Sequence, residues 1–264
     1  MHARDFFGAW RRKNIDRAGL GMDVIWNPWH GCTKYTEGCA HCYVYRRDES
    51  IGKDASRVTR NAEFDLPLRK KRDGTWKIPP GSTVFACMTS DFFLDVADPW
   101  RAQAWEIIRA RRDLRFCIIT KRIVRFHERL PGDWGDGWEH VTLLCTCENQ
   151  RRAQERLPVF LSLPLRHREI VCEPMLGPLD LSAWLGPGVA RVTVGGESGP
   201  DARPMRYEWA LALREQCMRA NVAFHFKQTG ANFIKDGKQY AIPRRLQGLQ
   251  AKKANIEFDL NTGR

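Results

Sequence analysis

Residues 83–120 read TVFACMTSDFFLDVADPWRAQAWEIIRARRDLRFCIIT, and this stretch decides the expected fold. A short β-branched and apolar run over Thr83–Cys87 indicates a strand, and Phe116–Ile119 repeats that pattern. Between them, Pro99–Arg112 starts with a proline suited to the first turn of a helix and continues with apolar residues at partly helical spacing. A strand, a crossover helix and a second strand are the unit from which parallel sheets are built.

The same alternation continues along most of the chain. Further helical patterns occupy Ile123–Leu130, Asn149–Leu163, which Pro158 interrupts, and Tyr207–Ala220. Repeated crossovers of one hand wrap into a barrel, so we expect an α/β fold: a parallel (βα) barrel or a partial TIM-like barrel of about seven strands. The remaining strands are predicted at Asp23–Trp26, Val141–Cys145, Glu169–Cys172, Arg191–Val194 and Val222–Phe226.

Length and composition predict one domain. The 264 residues are 43% hydrophobic, which is ordinary for a globular protein, and we expect a core over about 22–230 followed by a basic tail over 235–264. No apolar run reaches the roughly 20 residues of a membrane span, and the first residues lack the apolar core of a secretory signal. The sequence therefore predicts a cytoplasmic protein without membrane contact.

The formal net charge of +12 favours a polyanionic partner. Basic residues concentrate in Arg57–Lys77, Arg109–Arg129 and the tail from Lys235. We expect nucleic acid or an anionic nucleotide-like substrate, the alternative being a basic surface that serves solubility only. Two long polar loops, Arg46–Pro80 and Leu130–Glu139, are either functional segments or plain surface insertions.

Three of the nine cysteines stand close together after the first predicted strand, in W26-NPWHGCTKYTEGCAH-C42-Y43. Thiolate sulfur is a soft ligand for zinc or iron–sulfur clusters, and a glycine-containing loop lets several sulfurs converge. Three cysteines leave one iron of a cluster open, whereas a structural zinc site would need a fourth ligand from His30 or His41. Cys32, Cys39 and Cys42 are therefore the predicted metal ligands. The cysteines in or beside apolar strands are expected in the core: Cys87, Cys145, Cys147 and Cys172.

The cysteine run resembles the cluster loop of a phage- and prophage-associated family of unknown function that is related to radical S-adenosylmethionine enzymes. The resemblance covers roughly residues 22–230. It continues through Phe85–Phe93, Ile119–Arg122, Cys172–Asp180, Val194–Pro204 and Phe224–Gln228.

That resemblance implies a [4Fe–4S] cluster, S-adenosylmethionine bound at its open iron, an external electron donor, and formation of a 5′-deoxyadenosyl radical. The chain departs from most radical enzymes in its first cysteine spacing, which has six intervening residues where three are usual.

Polar residues follow the predicted strands, at the edge where parallel barrels place their chemistry. We name Glu173, Lys121 and Lys227 as catalytic candidates, although a Glu173 ion pair that only closes the barrel rim is an equally good interpretation. Arg122 and Arg203 suit a carboxylate or a phosphate. The strand-end set is completed by Asp91, Glu148, Glu197 and Gln228.

The segment Gly195–Gly199 is the second candidate site. Glycines at a strand end allow a ligand to approach the backbone, and the Glu197 carboxylate could accept a hydrogen bond from a ligand ammonium or ribose hydroxyl. We assign Gly195, Gly196, Glu197, Ser198 and Tyr43 to cofactor binding, and we expect Tyr43 to pack beside the cluster as well. The alternative is a tight turn that Glu197 caps.

Two functions follow from these features. The first is a radical S-adenosylmethionine-type enzyme acting on nucleic acid or a nucleotide-like substrate. The second is a non-catalytic protein in which a zinc or iron–sulfur loop stabilises a nucleic-acid-binding surface.

Overall fold

The computed structural model describes residues 22–260, and it confirms a parallel α/β half-barrel. Seven strands form one curled sheet in the order β1-β4-β5-β6-β7-β8-β10, and every neighbouring pair is parallel. These strands are β1 Asp23–Trp26, β4 Thr83–Ala86, β5 Arg115–Thr120, β6 Val141–Thr146, β7 His167–Cys172, β8 Arg191–Gly195 and β10 Ala223–Gln228.

Two small sheets flank this half-barrel. Strands β2 and β3 pair antiparallel, and β11 lies between β12 and β9. Their bounds are β2 Trp29–His30, β3 Thr59–Arg60, β9 Met205–Arg206, β11 Asn232–Lys235 and β12 Lys238–Ala241.

Five α-helices complete the described residues: α1 Tyr43–Glu49, α2 Asp98–Ala110, α3 Gln150–Ser162, α4 Tyr207–Arg219 and α5 Arg244–Ala254. Within residues 22–260 no helix has the length and apolar character needed to cross a membrane.

The core lies between the sheet and its crossover helices. Because helices cover the strands, β6 is buried along almost its whole length instead of alternating with exposed positions. Trp105 of α2 packs edge-on against Phe92 with ring centroids 4.8 Å apart. The predicted polar loop at 130–139 joins this cluster, since Trp134 and Trp138 are buried against Trp105. That loop is anchored to the core by its tryptophans.

Two helix predictions need correction. The predicted helix Ile123–Leu130 is only a 3-10 turn at Ile123–Arg125, because Arg129 takes a left-handed φ of 61° and the proline at 131 disfavours helical backbone before it. Helix α3, in contrast, continues through Pro158. Pro158 lies on the exposed face, where water can satisfy the carbonyl that loses its helical donor.

The predicted basic tail is an integral part of the fold, so the expected core limit near residue 230 is wrong. Phe258 pairs with Phe224 of β10 through hydrogen bonds of 2.8 and 3.0 Å. Glu257 accepts hydrogen bonds from the Phe226 amide and bonds His225. Helix α5 also packs on β10. The C-terminal segment thus covers the last edge of the sheet, which would otherwise expose unpaired backbone groups.

If the C-terminal segment belongs to the core, Ile256→Ala should destabilise the protein by about 2–5 kcal/mol, because Ile256 is buried and its removal leaves a cavity. Leu249→Ala on the exposed face of α5 is the control, with an expected change within about 0.5 kcal/mol. Urea unfolding measures both. Equal, small effects would show that the segment is an appendage.

Candidate functional site

The cysteine loop, residues 27–42, connects β1 to helix α1 at the carboxyl end of the sheet. Its three cysteines are free and partly exposed. Cys39 ends a 3-10 turn that begins at Glu37, and Cys42 directly precedes α1. The Cys32 amide donates to Ala55 at 2.8 Å. What keeps this polar loop in place is a set of contacts from the strand ends.

Arg122, which follows β5, holds the first part of the loop. Its Nη2 donates to the carbonyl and the hydroxyl of Thr33 at 2.7 and 2.9 Å, and its Nη1 donates to Cys32 Sγ at 3.8 Å. Asp91, which follows β4, lies 3.5 Å from the same guanidinium. Desolvation raises the pKa of the Cys32 thiol to about 12, with Asp91 adding to this effect and Arg122 opposing it.

Glu148, which follows β6, holds the middle of the loop. It is fully buried and pairs with Arg156 of α3 at 2.7 Å. The Thr36 hydroxyl donates to the same carboxylate. Gly38 lies so close that a Cβ atom there would stand 2.8 Å from Glu148 Oε1. The loop therefore needs a glycine at this position.

Glu37 ties the loop to helix α3. Arg152 Nη2 donates to its carboxylate at 2.6 Å, and Asn149, the N-cap of α3, donates as well. The Arg152 hydrogen bond holds the pKa of Glu37 down at about 2. The same Asn149 side chain accepts from the Arg152 amide at 3.0 Å. Asn149 therefore caps helix α3 and also fastens the cysteine loop to the start of this helix.

Glu197, which follows β8, holds the last part of the loop. Its carboxylate accepts from the amide and the guanidinium of Arg203, and His41 Nδ1 lies 3.3 Å away. Burial raises the pKa of Glu197, but the hydrogen bonds from Arg203 outweigh it and leave that pKa below its usual value. Arg203 also donates to the Glu37 carbonyl at 2.9 Å. Both Glu197 oxygens are therefore used within the protein.

The glycines just after β8 lie so close to neighbouring segments that they leave no room for a side chain. A Cβ on Gly196 would stand 2.4 Å from the Thr229 carbonyl, and one on Gly199 would stand 2.1 Å from Arg46 of α1. Gly199 also adopts a φ of +119°, which side-chain-bearing residues rarely take. These glycines were predicted to let a ligand approach the backbone, but in the structure they let other segments of the protein pack closely against the end of β8.

A second group, the Glu173 cluster, consists of Glu173, Lys227, Gln228 and Arg244. Glu173 accepts from Lys227 Nζ at 2.6 Å and from Gln228 Nε2 at 2.6 Å, and Arg244 of α5 donates to Gln228 Oε1 at 2.6 Å. The side chains of Glu173 and Lys227 are 18% and 35% exposed, so water or a ligand reaches them.

Tyr43 is the first residue of α1 and directly follows the cysteine loop. Its hydroxyl donates to the Met88 carbonyl just past β4. Desolvation raises the pKa of this phenol, and the charge of Cys42 and that of Glu173 act in the same direction. Lys121, the third catalytic candidate, is half-buried after β5. Its amide donates to Asp91 at 2.9 Å.

As placed, no three His, Cys, Asp or Glu side chains within residues 22–260 converge closely enough to hold a metal ion. The donor chemistry nevertheless suits a cluster, because three thiols belong to one loop and a guanidinium points at one of them. The two histidines considered for zinc each have a carboxylate partner: His30 bonds Asp48 at 2.6 Å, and His41 bonds Glu197. Four other cysteines are buried as expected: Cys87, Cys145, Cys147 and Cys172.

Sequence reasoning missed the helix and loop partners of the strand-end residues. Thr36 and Glu148 are 112 positions apart, and no local pattern connects them. Arg156 did carry a signal, since it stands among the buried positions Ala153, Leu157 and Phe160 of α3. An arginine on the apolar face of a helix indicates a buried acidic partner.

The fold and the site define a parallel half-barrel with a three-cysteine loop fastened to the carboxyl end of its strands. Residues 21–257 match the family described as Protein of unknown function (DUF5131), and the chain belongs to it. No curated protein and no solved structure matches the chain.

Replacing Gly38 by Ala should lower the free energy of unfolding by about 1–3 kcal/mol, since the new methyl group meets a carboxylate that Arg156 prevents from moving. Gly132→Ala is the matched control, because nothing lies within 4 Å of its added methyl. Denaturant unfolding compares the two. If they behave alike, the loop does not press on Glu148.

Glu37→Gln should make stability less dependent on acid. A carboxylate with its folded-state pKa near 2, against an ordinary 4.5, adds stability above about pH 4.5 that is lost as the pH falls toward 2. At pH 7 the free energy of unfolding of the variant should therefore be lower than that of the wild type, by less than about 1 kcal/mol because Glu37 is partly exposed. In acid the two free energies of unfolding should converge. Melting curves across this range test it, with Glu215→Gln as control; a constant difference would contradict it.

Proposed function

We propose that the protein is a radical S-adenosylmethionine-type enzyme that holds a [4Fe–4S] cluster on Cys32, Cys39 and Cys42. The observation that carries this proposal is the position of the cysteine loop. Residues following β4, β5, β6 and β8 bind it at the carboxyl end of a parallel half-barrel. Parallel barrels place their catalytic groups at that end.

When bound and reduced by an external donor, such a cluster supplies the electron that splits S-adenosylmethionine into methionine and a 5′-deoxyadenosyl radical. The protein's part is to position and shield. Arg122, Glu148 and Glu197 fix the loop from separate strands. The desolvated phenol of Tyr43 directly follows the loop, at the start of α1.

We assign the proposed cofactor site to Gly195, Gly196, Glu197 and Ser198 at the end of β8, together with Tyr43 of α1. Because both oxygens of Glu197 are engaged, its contribution is to orient Arg203, whose side chain is 31% exposed. A partly exposed guanidinium held by a buried carboxylate suits the carboxylate of an amino-acid ligand.

Glu173, Lys227 and Lys121 are the proposed catalytic residues. The 2.6 Å contact between Lys227 and Glu173 keeps an ammonium and a carboxylate together on the rim, where a proton can be given to or taken from a substrate. Arg244 extends this cluster with a further positive charge.

An anionic substrate, nucleic acid or nucleotide-like, agrees with the net charge of +12. Many of the cations are exposed, among them Arg57, Arg60, Lys71, Arg72 and Lys77. Since all nine cysteines are free, a reducing compartment such as the cytoplasm is the proposed location.

Cys32→Ala, Cys39→Ala and Cys42→Ala should each abolish iron binding after anaerobic reconstitution, because two thiolates cannot retain a cluster that needs three. Cys217→Ala, a buried cysteine on α4, should keep its iron. Iron and sulfide analysis with visible absorption measures the outcome. Full iron retention in the loop variants would remove the basis of the proposal.

With dithionite and S-adenosylmethionine, the iron-loaded protein should form 5′-deoxyadenosine. Glu173→Gln and Lys227→Met should retain the cluster but lose at least about a hundredfold in substrate turnover, the lower end of what a positioned acid or base contributes. Lys238→Met on the exposed hairpin is the control. If Glu173→Gln and Lys227→Met both turn over substrate at the wild-type rate, the Glu173 cluster has a structural role only.

One observation favours the second candidate, a zinc-stabilised nucleic-acid-binding protein. His41 stands between Cys39 and Cys42, and its Nδ1 faces Glu197, which leaves Nε2 for a metal as in many zinc sites. Metal analysis separates the candidates. A colourless protein that keeps zinc in air supports zinc, whereas a brown, air-sensitive protein supports the cluster.

A further inference from the structure

Arg122 reaches from the end of β5 to the first cysteine of the loop. Its side chain is only 7% exposed, and its Nη1 donates to Cys32 Sγ at 3.8 Å. The sequence suggested a phosphate- or carboxylate-binding arginine here. In the structure the guanidinium faces a sulfur and the Thr33 oxygens instead.

Asp91 fixes this guanidinium and is itself fixed. One of its oxygens accepts from the Phe93 amide at 3.0 Å and from the Thr120 hydroxyl at 2.7 Å. The other accepts from the Lys121 amide and lies 3.5 Å from Arg122 Nη1. Four contacts thus hold a buried carboxylate behind the arginine.

The arginine backbone and the far face of its guanidinium are also constrained. Its amide donates to the Thr120 hydroxyl at 2.8 Å, and its Cζ lies 4.8 Å from the ring centroid of Tyr35. The charge therefore stays beside Cys32 without reorganisation.

A fixed positive charge favours the more negative of two states of a neighbouring group. Reduction of an iron–sulfur cluster adds one electron, and hydrogen bonds to the ligating sulfurs are among the features that set its potential. A donor to Cys32 Sγ would stabilise the reduced state more than the oxidised one.

We infer that Arg122 is a positioning residue that stabilises the reduced form of a cluster bound through Cys32, and that Asp91 orients it for this task. This inference rests on the proposed cluster. In this role Arg122 raises the reduction potential of the cluster, so that an external donor reduces it more easily.

The test is a potentiometric titration of the anaerobically reconstituted full chain, followed by electron paramagnetic resonance of the reduced cluster. Arg122→Met removes the charge and all the hydrogen-bond donors but keeps a side chain of similar length. Arg122→Lys keeps the charge but loses the planar, forked donors of the guanidinium. Arg125→Met is the control, because Arg125 lies one turn away and bonds Asp98 and the Phe93 carbonyl.

The Arg122→Met potential should be more negative than that of the wild type, with Arg122→Lys between them and Arg125→Met unchanged. For a one-electron couple, each tenfold loss in relative stabilisation of the reduced state corresponds to a shift of about 59 mV. Iron content is measured on every sample.

An iron-loaded Arg122→Met protein with the wild-type potential overturns this inference and leaves the proposed function standing. A wild-type protein that takes up zinc and no iron overturns both. If Arg122→Met does not retain iron, the titration of Arg122→Lys decides, and an unshifted potential there overturns the inference.

Discussion

The buried ion pair between Glu148 and Arg156 is the interaction on which the position of the cysteine loop depends. Two charges removed from water are stable only when their remaining hydrogen-bonding capacity is satisfied. Arg156 also donates to the Thr146 carbonyl, and Glu148 accepts from Thr36. The pair therefore connects helix α3, the end of β6 and the loop. Loss of either partner would leave a buried charge next to the cysteines, a change that typically costs about 3–5 kcal/mol.

This constraint changes how the carboxyl end of the half-barrel is interpreted. Strand-end residues in a parallel barrel are expected to face a substrate, but Asp91, Arg122, Glu148 and Glu197 all face the cysteine loop or its supports. The rim thus has two parts. One part fastens the loop, and the other, the Glu173 cluster, stays accessible.

The sequence was a good guide wherever an element is apolar and covered on both faces. The predicted strand Val141–Cys145 differs from β6 by a single residue, because a continuous apolar run has no other stable place than a covered sheet. The hairpin of β11 and β12 was invisible, since β12 is exposed throughout and shows no hydrophobic period. Helix α5 is similarly polar, and only Gln247 and Ala251 of it are buried. The three-cysteine loop could be recognised from local spacing, whereas its supports join residues more than a hundred positions apart.

Because the C-terminal segment supplies Arg244 and covers the edge of β10, it also determines when the carboxyl end of the half-barrel is complete. Chains emerge from the ribosome amino end first, so the cysteine loop and β6 exist long before α5. Arg244 joins the rim through Gln228, and Phe258 pairs with β10, which is the last strand of the sheet. The Glu173 cluster and the cover over the sheet edge are therefore complete only once the segment up to Phe258 has folded onto β10, whereas the supports of the cysteine loop need none of these residues.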